Sequence, residues 1–185
     1  MSSSWRARIR RFDDLVDSEL DRVRGNPVAD RIFYLATELG DWALVWHIIG
    51  AVRGLQSDDK ADDALRLSML LGAESVLVNG VVKSFFRRGR PVWDQPRAYN
   101  IRRPRSSSFP SGHASSAFTA ATILSEDSPL KPFYFGLAAV VATSRVYVKI
   151  HHASDVVGGV ATGLVLGQVA KRVWPRKKAP NRGVG

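Results

Sequence analysis

Residues 155–173 read DVVGGVATGLVLGQVAKRV, an apolar run without a charged side chain between its first residue and Lys171. An α-helix needs roughly 20 mostly apolar residues to cross the ~30 Å hydrocarbon core of a bilayer. The run is close to that length, so it predicts a membrane-spanning helix. Its small residues predict close packing against a neighbouring helix rather than ligand binding. These residues are Gly158, Gly159, Ala161 and Gly163.

Four other segments are apolar enough to span a membrane or nearly so, although the mean hydropathy of the chain is only −0.10. They are residues 32–52, 65–82, 113–124 and 132–148. The third is short, and we expect its helix to extend back toward Ser111 and forward past Ser125. Five such segments with basic connectors, and with Tyr and Trp near their ends, predict an all-α polytopic membrane bundle of about five spanning helices. A soluble helical bundle with apolar core helices is the alternative.

The N-terminal segment, residues 1–28, has a different pattern. Apolar residues recur every three or four positions near Arg6 to Arg24, with Arg and Asp between them. This spacing predicts an amphipathic helix that lies along the membrane surface. A solvated helix packed on the bundle is the alternative. The chain therefore divides into this segment, a membrane-embedded domain at 29–173 and a basic tail at 174–185 that we expect to be disordered.

Composition limits the possible partners and sites. The chain has 185 residues, enough for one domain, with a formal net charge of +10 and no cysteine. It therefore contains no disulfide and no thiolate metal site. A charge of this size is also typical of proteins that bind nucleic acid. Here the Lys and Arg residues crowd the N terminus, residues 87–105 and the tail, and this distribution argues against nucleic acid as a partner.

Three stretches between the apolar segments hold residues suited to binding and attacking a phosphate. They are Lys83 with Arg90-Pro91, then Pro110-Ser111-Gly112-His113, then Ser144-Arg145 followed by His151 and Asp155. Together they supply cations, backbone amides, two imidazoles and a carboxylate. Cations and amides hold phosphate oxygens, and an imidazole can attack phosphorus or move a proton.

The position of these stretches on the predicted helices supports the same chemistry. Residues 111–113 open a predicted helix, where free N–H groups and the positive end of the helix dipole favour an anion. His151 and Asp155 are four residues apart, so on a helical turn they share a face and can hydrogen-bond. A carboxylate on one imidazole nitrogen fixes the tautomer and leaves the other nitrogen free to act.

In order and internal spacing, these stretches resemble the three-part signature of the type 2 phosphatidic acid phosphatase superfamily. The matching pattern is Lys83-x6-Arg90-Pro91, Ser111-Gly112-His113 and Ser144-Arg145-x5-His151-x3-Asp155. The resemblance implies a compact bacterial membrane lipid phosphatase. It implies that His151 is the nucleophile, that Asp155 holds its ring, and that His113 protonates the leaving alkoxide and later activates water. It also implies catalysis without a metal or other cofactor, and a set of phosphate-binding residues: Lys83, Arg90, Ser111, Gly112 and Arg145.

The resemblance further implies a substrate that is a lipid phosphate held at the bilayer. Candidates are phosphatidic acid, phosphatidylglycerol phosphate, polyprenyl phosphates or diphosphates, and a polyprenyl-linked sugar phosphate, and nothing in the loops selects among them. We expect an integral protein of the bacterial cell membrane, of undetermined oligomeric state. Five crossings would place the N terminus and both motif-bearing connectors on one membrane face. The positive-inside rule slightly favours the cytoplasm for that face, but many relatives face outward, so the side is left open.

Two other functions use the same residues. Vanadate-dependent haloperoxidases share this site with vanadate in place of phosphate, but they are soluble and much larger. A non-catalytic membrane protein that binds anionic lipid or nucleic acid would not need His113, His151 and Asp155 together. No segment shows the carboxylate cluster of a two-metal phosphatase or the G-x-x-x-x-G-K-[ST] loop of a nucleotide-binding protein.

Other ionisable residues inside the predicted spanning segments also need an interpretation. Glu38, Asp41 and Glu74 would be costly there without compensation, and such residues are often functional. We favour the interpretation that they bind partners within the bundle, for example Arg or His of another helix. His47 stands between Trp46 and an isoleucine, and we expect it to pack in the helix interior.

Overall fold

The structure is a computed structural model that describes residues 3–93, 101, 103–126 and 128–176. Within these residues it contains helices and no β-strand, so the all-α prediction is confirmed. The α-helices of the described chain are α1 (Ser3–Asp21), α2 (Pro27–Gly40), α3 (Leu44–Gly54), α4 (Asp58–Ser75), α5 (Gly112–Leu124), α6 (Lys131–Tyr147) and α7 (Ala153–Val173). The basic tail predicted at 174–185 lies outside the described residues from position 177 onward.

Helix α5 lies at the centre of the bundle and packs against α4, α6 and α7. Its sequence is rich in Ala, Ser and Thr, whose small side chains let neighbouring backbones come close. The close packing predicted for the small residues of α7 is confirmed here. A Cβ added at Gly159 would lie 2.4 Å from the backbone oxygen of Ser111, and one at Gly163 would lie 2.3 Å from that of Ser115. This contact fixes the second and third motifs relative to each other.

We expect Gly163→Ala to destabilise the protein by about 1–3 kcal/mol, the usual range for overpacking. The added Cβ would meet the backbone of Ser115, which cannot move aside as the end of a side chain can. Gly136→Ala on α6 is the matched control, because a Cβ there has nothing within 4 Å and Ala is the better helix former. Thermal unfolding of both variants in one detergent measures the difference. A Gly163→Ala variant as stable as Gly136→Ala would contradict the close approach.

The segment at 32–52, predicted as one spanning helix, is divided in the structure. Helices α2 and α3 are separated by a 3₁₀ turn at Asp41–Ala43. Trp42 and Ala43 have φ angles of 56° and 57°, in the left-handed region that residues with a Cβ rarely adopt. The prediction of a single helix is wrong here because the apolar pattern continues through the turn and gives no sign of it.

Two helical stretches of the described chain are long and apolar enough to cross a membrane by length and composition. They are Asp58–Phe85 and Ala153–Val173, and they correspond to two of the five predicted segments. The first continues α4 through a π-helical segment at Val76–Val81 and a 3₁₀ turn at Val82–Phe85. Helix α5 begins next to Ser111 as expected but ends at Leu124, so its predicted extension past Ser125 is wrong. The count of five spanning helices stays a prediction.

Helix α1 lies where the amphipathic helix was predicted, and it packs on α6 and α7. Two of its acidic side chains face the protein, since Asp13 contacts the start of α7 and Asp17 pairs with Arg24, whereas Asp14 and Glu19 are exposed. Its exposed large apolar side chains are Trp5, Phe12 and Leu15. These three side chains point away from the protein, whereas Leu20 packs against a buried cluster that contains Tyr147. Both a membrane surface and a solvated helix packed on the bundle are compatible with this arrangement.

Candidate active site

A cavity of about 520 Å³ lies beside the first turn of α5 and is lined by residues of all three motifs. Lys83 comes from the end of the α4 stretch, and Gly112 and His113 come from the start of α5. Arg145 lies in the last turn of α6, and His151 lies in the short connection to α7. Two cations and two imidazoles thus face one space, although they are far apart in the chain.

Lys83 follows the π-helical segment Val76–Val81, and such segments are frequent at functional sites. Its buried ammonium donates a hydrogen bond to Oδ1 of Asn79 at 2.8 Å. The same oxygen lies 2.7 Å from the position of a Cβ at Gly112, so a larger residue there would displace Asn79. Asn79, which the sequence did not mark, therefore ties Lys83 to the start of α5.

Arg90 lies in the loop after α4, where main-chain oxygens fix its guanidinium. Nη2 donates to the backbone oxygen of Ser106 at 3.1 Å, and Nη1 donates to that of Ile150 at 3.0 Å. Nη1 also lies 3.2 Å from Nε2 of His151. Burial lowers the pKa of Arg90, but a guanidinium remains charged at neutral pH. A permanent positive charge therefore stands beside Nε2 of His151.

The hydrogen bond predicted between His151 and Asp155 is not direct. Nδ1 of His151 lies 3.8 Å from Oδ2 of Asp155, which is too long. The spacing argument is wrong because α7 begins at Ala153, so the two residues do not share one regular helical turn. Ser108 lies between them, and its hydroxyl donates to Oδ2 at 2.6 Å and lies 3.3 Å from Nδ1. Its oxygen is therefore placed to accept the Nδ1 proton.

His151 is buried, with 2% of its surface exposed. Burial, reinforced by Arg145, Arg90 and Lys83, lowers its pKa to about 3 despite the opposing effect of Asp155. The imidazole is therefore neutral at physiological pH. With the proton on Nδ1 facing Ser108, Nε2 keeps a lone pair, as a nucleophile requires.

Asp155 is fully buried and is surrounded by hydrogen-bond donors. Oδ2 accepts from Ser108 and, at 2.9 Å, from the backbone N–H of His152. Oδ1 accepts from Nη1 of Arg88 at 2.7 Å. The backbone oxygen of Asp155 accepts from the N–H of Ser111 at 3.0 Å. Asp155 thus links the second and third motifs, and Arg88 is its cationic partner.

His113 stands opposite a carboxylate that the break after α2 presents to it. Its Nε2 lies 2.8 Å from Oδ1 of Asp41, so the interpretation of Asp41 as a partner of a residue on another helix is confirmed. Glu74 accepts from the hydroxyl of Ser115 at 2.5 Å, again on another helix but from Ser rather than Arg or His. Glu38 is exposed.

Two other predicted positions differ in detail from the expectation. His47 does not pack wholly in a helix interior, because it lines the cavity and its Nδ1 lies 2.9 Å from the hydroxyl of Ser68. Ser111 is fully buried and caps α5, since its hydroxyl accepts from the N–H of Ala114 at 3.4 Å. Ser111 is not among the residues that line the cavity, so phosphate binding by its hydroxyl stays a prediction.

Comparison with known proteins assigns the family. The model of the PAP2 superfamily matches residues 64–179. This chain belongs to the PAP2 superfamily. Decaprenylphosphoryl-5-phosphoribose phosphatase of Mycobacterium tuberculosis is 30% identical to this PAP2 chain over an alignment of 155 residues, which covers 79% of the chain and 84% of that protein. Phosphatidylglycerophosphatase B of Bacillus subtilis is 33% identical over 131 residues, 64% of the chain and 61% of that protein.

A solved structure of a PAP2 protein agrees with the fold. It is the crystal structure of a transmembrane PAP2 type phosphatidylglycerolphosphate phosphatase from Bacillus subtilis. This chain is similar to it with a TM-score of 0.69 and 26% sequence identity. The similarity covers 93% of this chain and 87% of that one. The predicted membership of a family of membrane phosphatases is therefore confirmed.

Four residues of the candidate site could not be assigned to it from the sequence. Ser108 ends a run of three serines, and Arg88 is one of several arginines in a basic loop. Asn79 and Asp41 lie in apolar segments, where a polar residue is a hint of function but does not identify its partner. Each acts through a contact between distant parts of the chain.

Proposed function

We propose that this protein hydrolyses the phosphomonoester or diphosphate of a lipid or polyprenyl-linked substrate through a phosphohistidine at His151. The main support is the surroundings of His151, whose Nε2 lies 3.2 Å from Nη1 of Arg90 and which lines one cavity with Lys83, Arg145 and His113. Phosphoryl transfer depends mostly on positioning and on stabilising negative charge on the phosphate oxygens. This cavity supplies both beside a neutral nucleophile.

Phosphate binding is the first step of the proposed reaction. Lys83, Arg90 and Arg145 neutralise the phosphate oxygens, and the planar guanidinium groups can each meet two oxygens. The N–H of Gly112, in the first turn of α5, adds a donor at the positive end of the helix. No metal ion is needed for this neutralisation. In the part of the chain that the structure describes, no group of three or more His, Asp or Glu side chains could hold one.

Transfer of the phosphoryl group to the protein is the second step. Nε2 of His151 attacks phosphorus, so the P–N bond forms while the bond to the leaving alkoxide breaks. His113 gives its proton to that oxygen, and the lipid alcohol leaves. Positive charge develops on the His151 ring, and Asp155 stabilises it through Ser108, which lies within hydrogen-bonding distance of both.

Hydrolysis of the phosphohistidine completes the cycle. His113, now neutral, takes a proton from a water molecule whose oxygen attacks phosphorus. The P–N bond breaks, inorganic phosphate leaves, and both histidines return to their starting states. Asp41, 2.8 Å from Nε2 of His113, holds the orientation of that ring through both proton transfers.

The arrangement of the helices suits a substrate carried by a membrane. We propose five crossings, the first made by the broken pair α2 and α3, in a bacterial cell membrane, with the embedded domain at 29–173. Helix α1 lies on the surface at the end of the bundle that holds the site, because Asp13 contacts both Arg88 and the start of α7. The outward-facing Trp5 and Phe12 would then enter the interface. A lipid phosphate could reach the cavity from the same surface.

A substrate panel tests the proposed function. Purified protein in detergent, with excess chelator, is assayed for phosphate release from phosphatidic acid, phosphatidylglycerol phosphate, polyprenyl phosphate and diphosphate, and a polyprenyl-linked sugar phosphate. We expect kcat/KM of about 10⁴ M⁻¹s⁻¹ or more for at least one lipid, and a much lower value for glycerol phosphate, which has no tail. Loss of activity on chelation would contradict the metal-free steps. Equal activity on glycerol phosphate would contradict a lipid substrate.

A further inference from the structure

Asp13 on α1 is a buried carboxylate outside the three motifs. It is 5% exposed and binds the first turn of α7. Oδ1 accepts from the backbone N–H of Ser154 at 2.8 Å, and Oδ2 accepts from the hydroxyl of Ser154 at 3.0 Å. Oδ2 also accepts from Nη2 of Arg88 at 2.6 Å. Asp13 therefore reaches the residue beside Asp155 and the arginine that binds it.

Arg88 bridges two carboxylates through its two terminal nitrogens. Nη2 pairs with Asp13, while Nη1 donates to Oδ1 of Asp155 and to the hydroxyl of Ser154, both at 2.7 Å. A planar guanidinium can hold two carboxylates in a fixed relation, whereas a lysine ammonium is a point charge on a flexible stem. The carboxylate of Asp155 is thus held from outside the motif that contains it.

The charges of Asp13 and Arg88 affect His151 through Asp155. One cation is shared by two buried carboxylates, so the negative charge of Asp155 is only partly neutralised by Arg88. The other oxygen of Asp155 contacts Ser108, which lies 3.3 Å from Nδ1 of His151. Without the charge of Asp13, Arg88 would act on Asp155 alone and would be free to move toward it. The carboxylate would then give less support to positive charge on the His151 ring.

We propose that Asp13 is a positioning residue for phosphoryl transfer, which acts through Arg88 to fix the orientation and charge of Asp155. The proposal rests on the proposed function of His151 and extends its site to the N-terminal helix. In this role α1 contributes to catalysis as well as to the surface of the bundle.

Asp13→Asn in the full chain tests the proposal, because Asn keeps the shape and an oxygen for the N–H of Ser154 but removes the charge. We expect kcat to fall by about 10- to 100-fold, as for the loss of a charge-assisted hydrogen bond. KM and inhibition by inorganic phosphate should stay within about twofold, because the substitution leaves the phosphate-binding cations in place. Asp14→Asn, at the exposed neighbouring position, should behave like the wild type.

Asp17→Asn separates positioning from simple docking of α1. Asp17 also holds α1 on the protein, through Arg24 at 2.7 Å and Lys149 at 3.0 Å, but Arg88 is not among these partners. We expect this variant to lose thermal stability without the loss in kcat. An equal fall in kcat for Asp13→Asn and Asp17→Asn would overturn the proposal, and so would an unchanged kcat in Asp13→Asn.

Coupling between Asp13 and Arg88 is tested by a double-mutant cycle on kcat. In an Arg88→Gln background, Asp13→Asn should cause no further loss of kcat, and independent additive losses would overturn the proposal.

If Asp13→Asn does not fold, Arg88→Lys takes its place, since it keeps the charge but cannot bridge both carboxylates. An unchanged kcat in Arg88→Lys would overturn the proposal. The kcat values of the wild type and of His151→Ala are measured first. If these two values are equal, the proposed function of His151 is contradicted, and the result does not bear on Asp13.

Discussion

His151→Ala should reduce kcat for the lipid phosphate by about 10⁴-fold or more, as expected when a nucleophile is removed. The variant retains the cations that hold the phosphate, so substrate should still bind. It lacks the nitrogen that attacks phosphorus. Phosphate release by purified variant and wild type measures the loss.

His152→Ala is the matched control for this variant. His152 donates its backbone N–H to the Asp155 carboxylate, and alanine retains this donor. The His152 side chain caps α7 at the backbone of Asp155 and is not among those that line the cavity. We expect its kcat within a few-fold of the wild type. A His151→Ala protein that is folded and turns over at a rate near that of His152→Ala would remove the proposed nucleophile.

His113→Ala should separate the two half-reactions according to the leaving group. With a lipid phosphate, the leaving alkoxide needs a proton, so we expect the rate to fall by about 10²- to 10⁴-fold, the range of general acid catalysis. With p-nitrophenyl phosphate the leaving phenolate does not need to be protonated, so His151 should still be phosphorylated. Hydrolysis would then be slow, because no base activates water. Rapid mixing should show a burst of about one p-nitrophenol per active site, followed by slow turnover.

The His151→Ala variant provides the comparison for the burst, since it cannot form the intermediate and should show none. A His113→Ala protein that shows no burst, or one in which the rate of the first turnover falls equally for lipid and aryl phosphate, would contradict the assignment of His113 as the proton donor. The role of His151 is tested separately, by the His151→Ala variant.

The sequence predicts best the helices that consist of one continuous apolar run. The runs at 65–82 and 155–173 are long and uninterrupted, and both lie in helices of the structure. The break between α2 and α3 could not be predicted, because Trp42 and Ala43 take left-handed angles within an apolar pattern that continues on both sides. The break depends on the tertiary structure, and it places Asp41 beside His113.

The candidate site divides in the same way. Lys83, His113, Arg145 and His151 could be found because the spacing of reactive residues lies within short stretches, and the structure places all four on one cavity. Ser108 could not be found, since its contact with Asp155 joins residues that are far apart in the chain. A sequence also does not show which of two nearby arginines turns to which partner, so Arg88 was missed beside Arg90.

The central claim is that the phosphoryl group passes through His151, and trapping that intermediate tests it most directly. His113→Ala protein is mixed with phosphorus-32-labelled p-nitrophenyl phosphate, quenched in alkali within the burst, and digested for mass spectrometry under conditions that preserve phosphohistidine. We predict close to one phosphate per protein, carried on the peptide that contains His151 and absent from a His113→Ala/His151→Ala double variant. A label on another residue, or a burst without any labelled peptide, would contradict the mechanism.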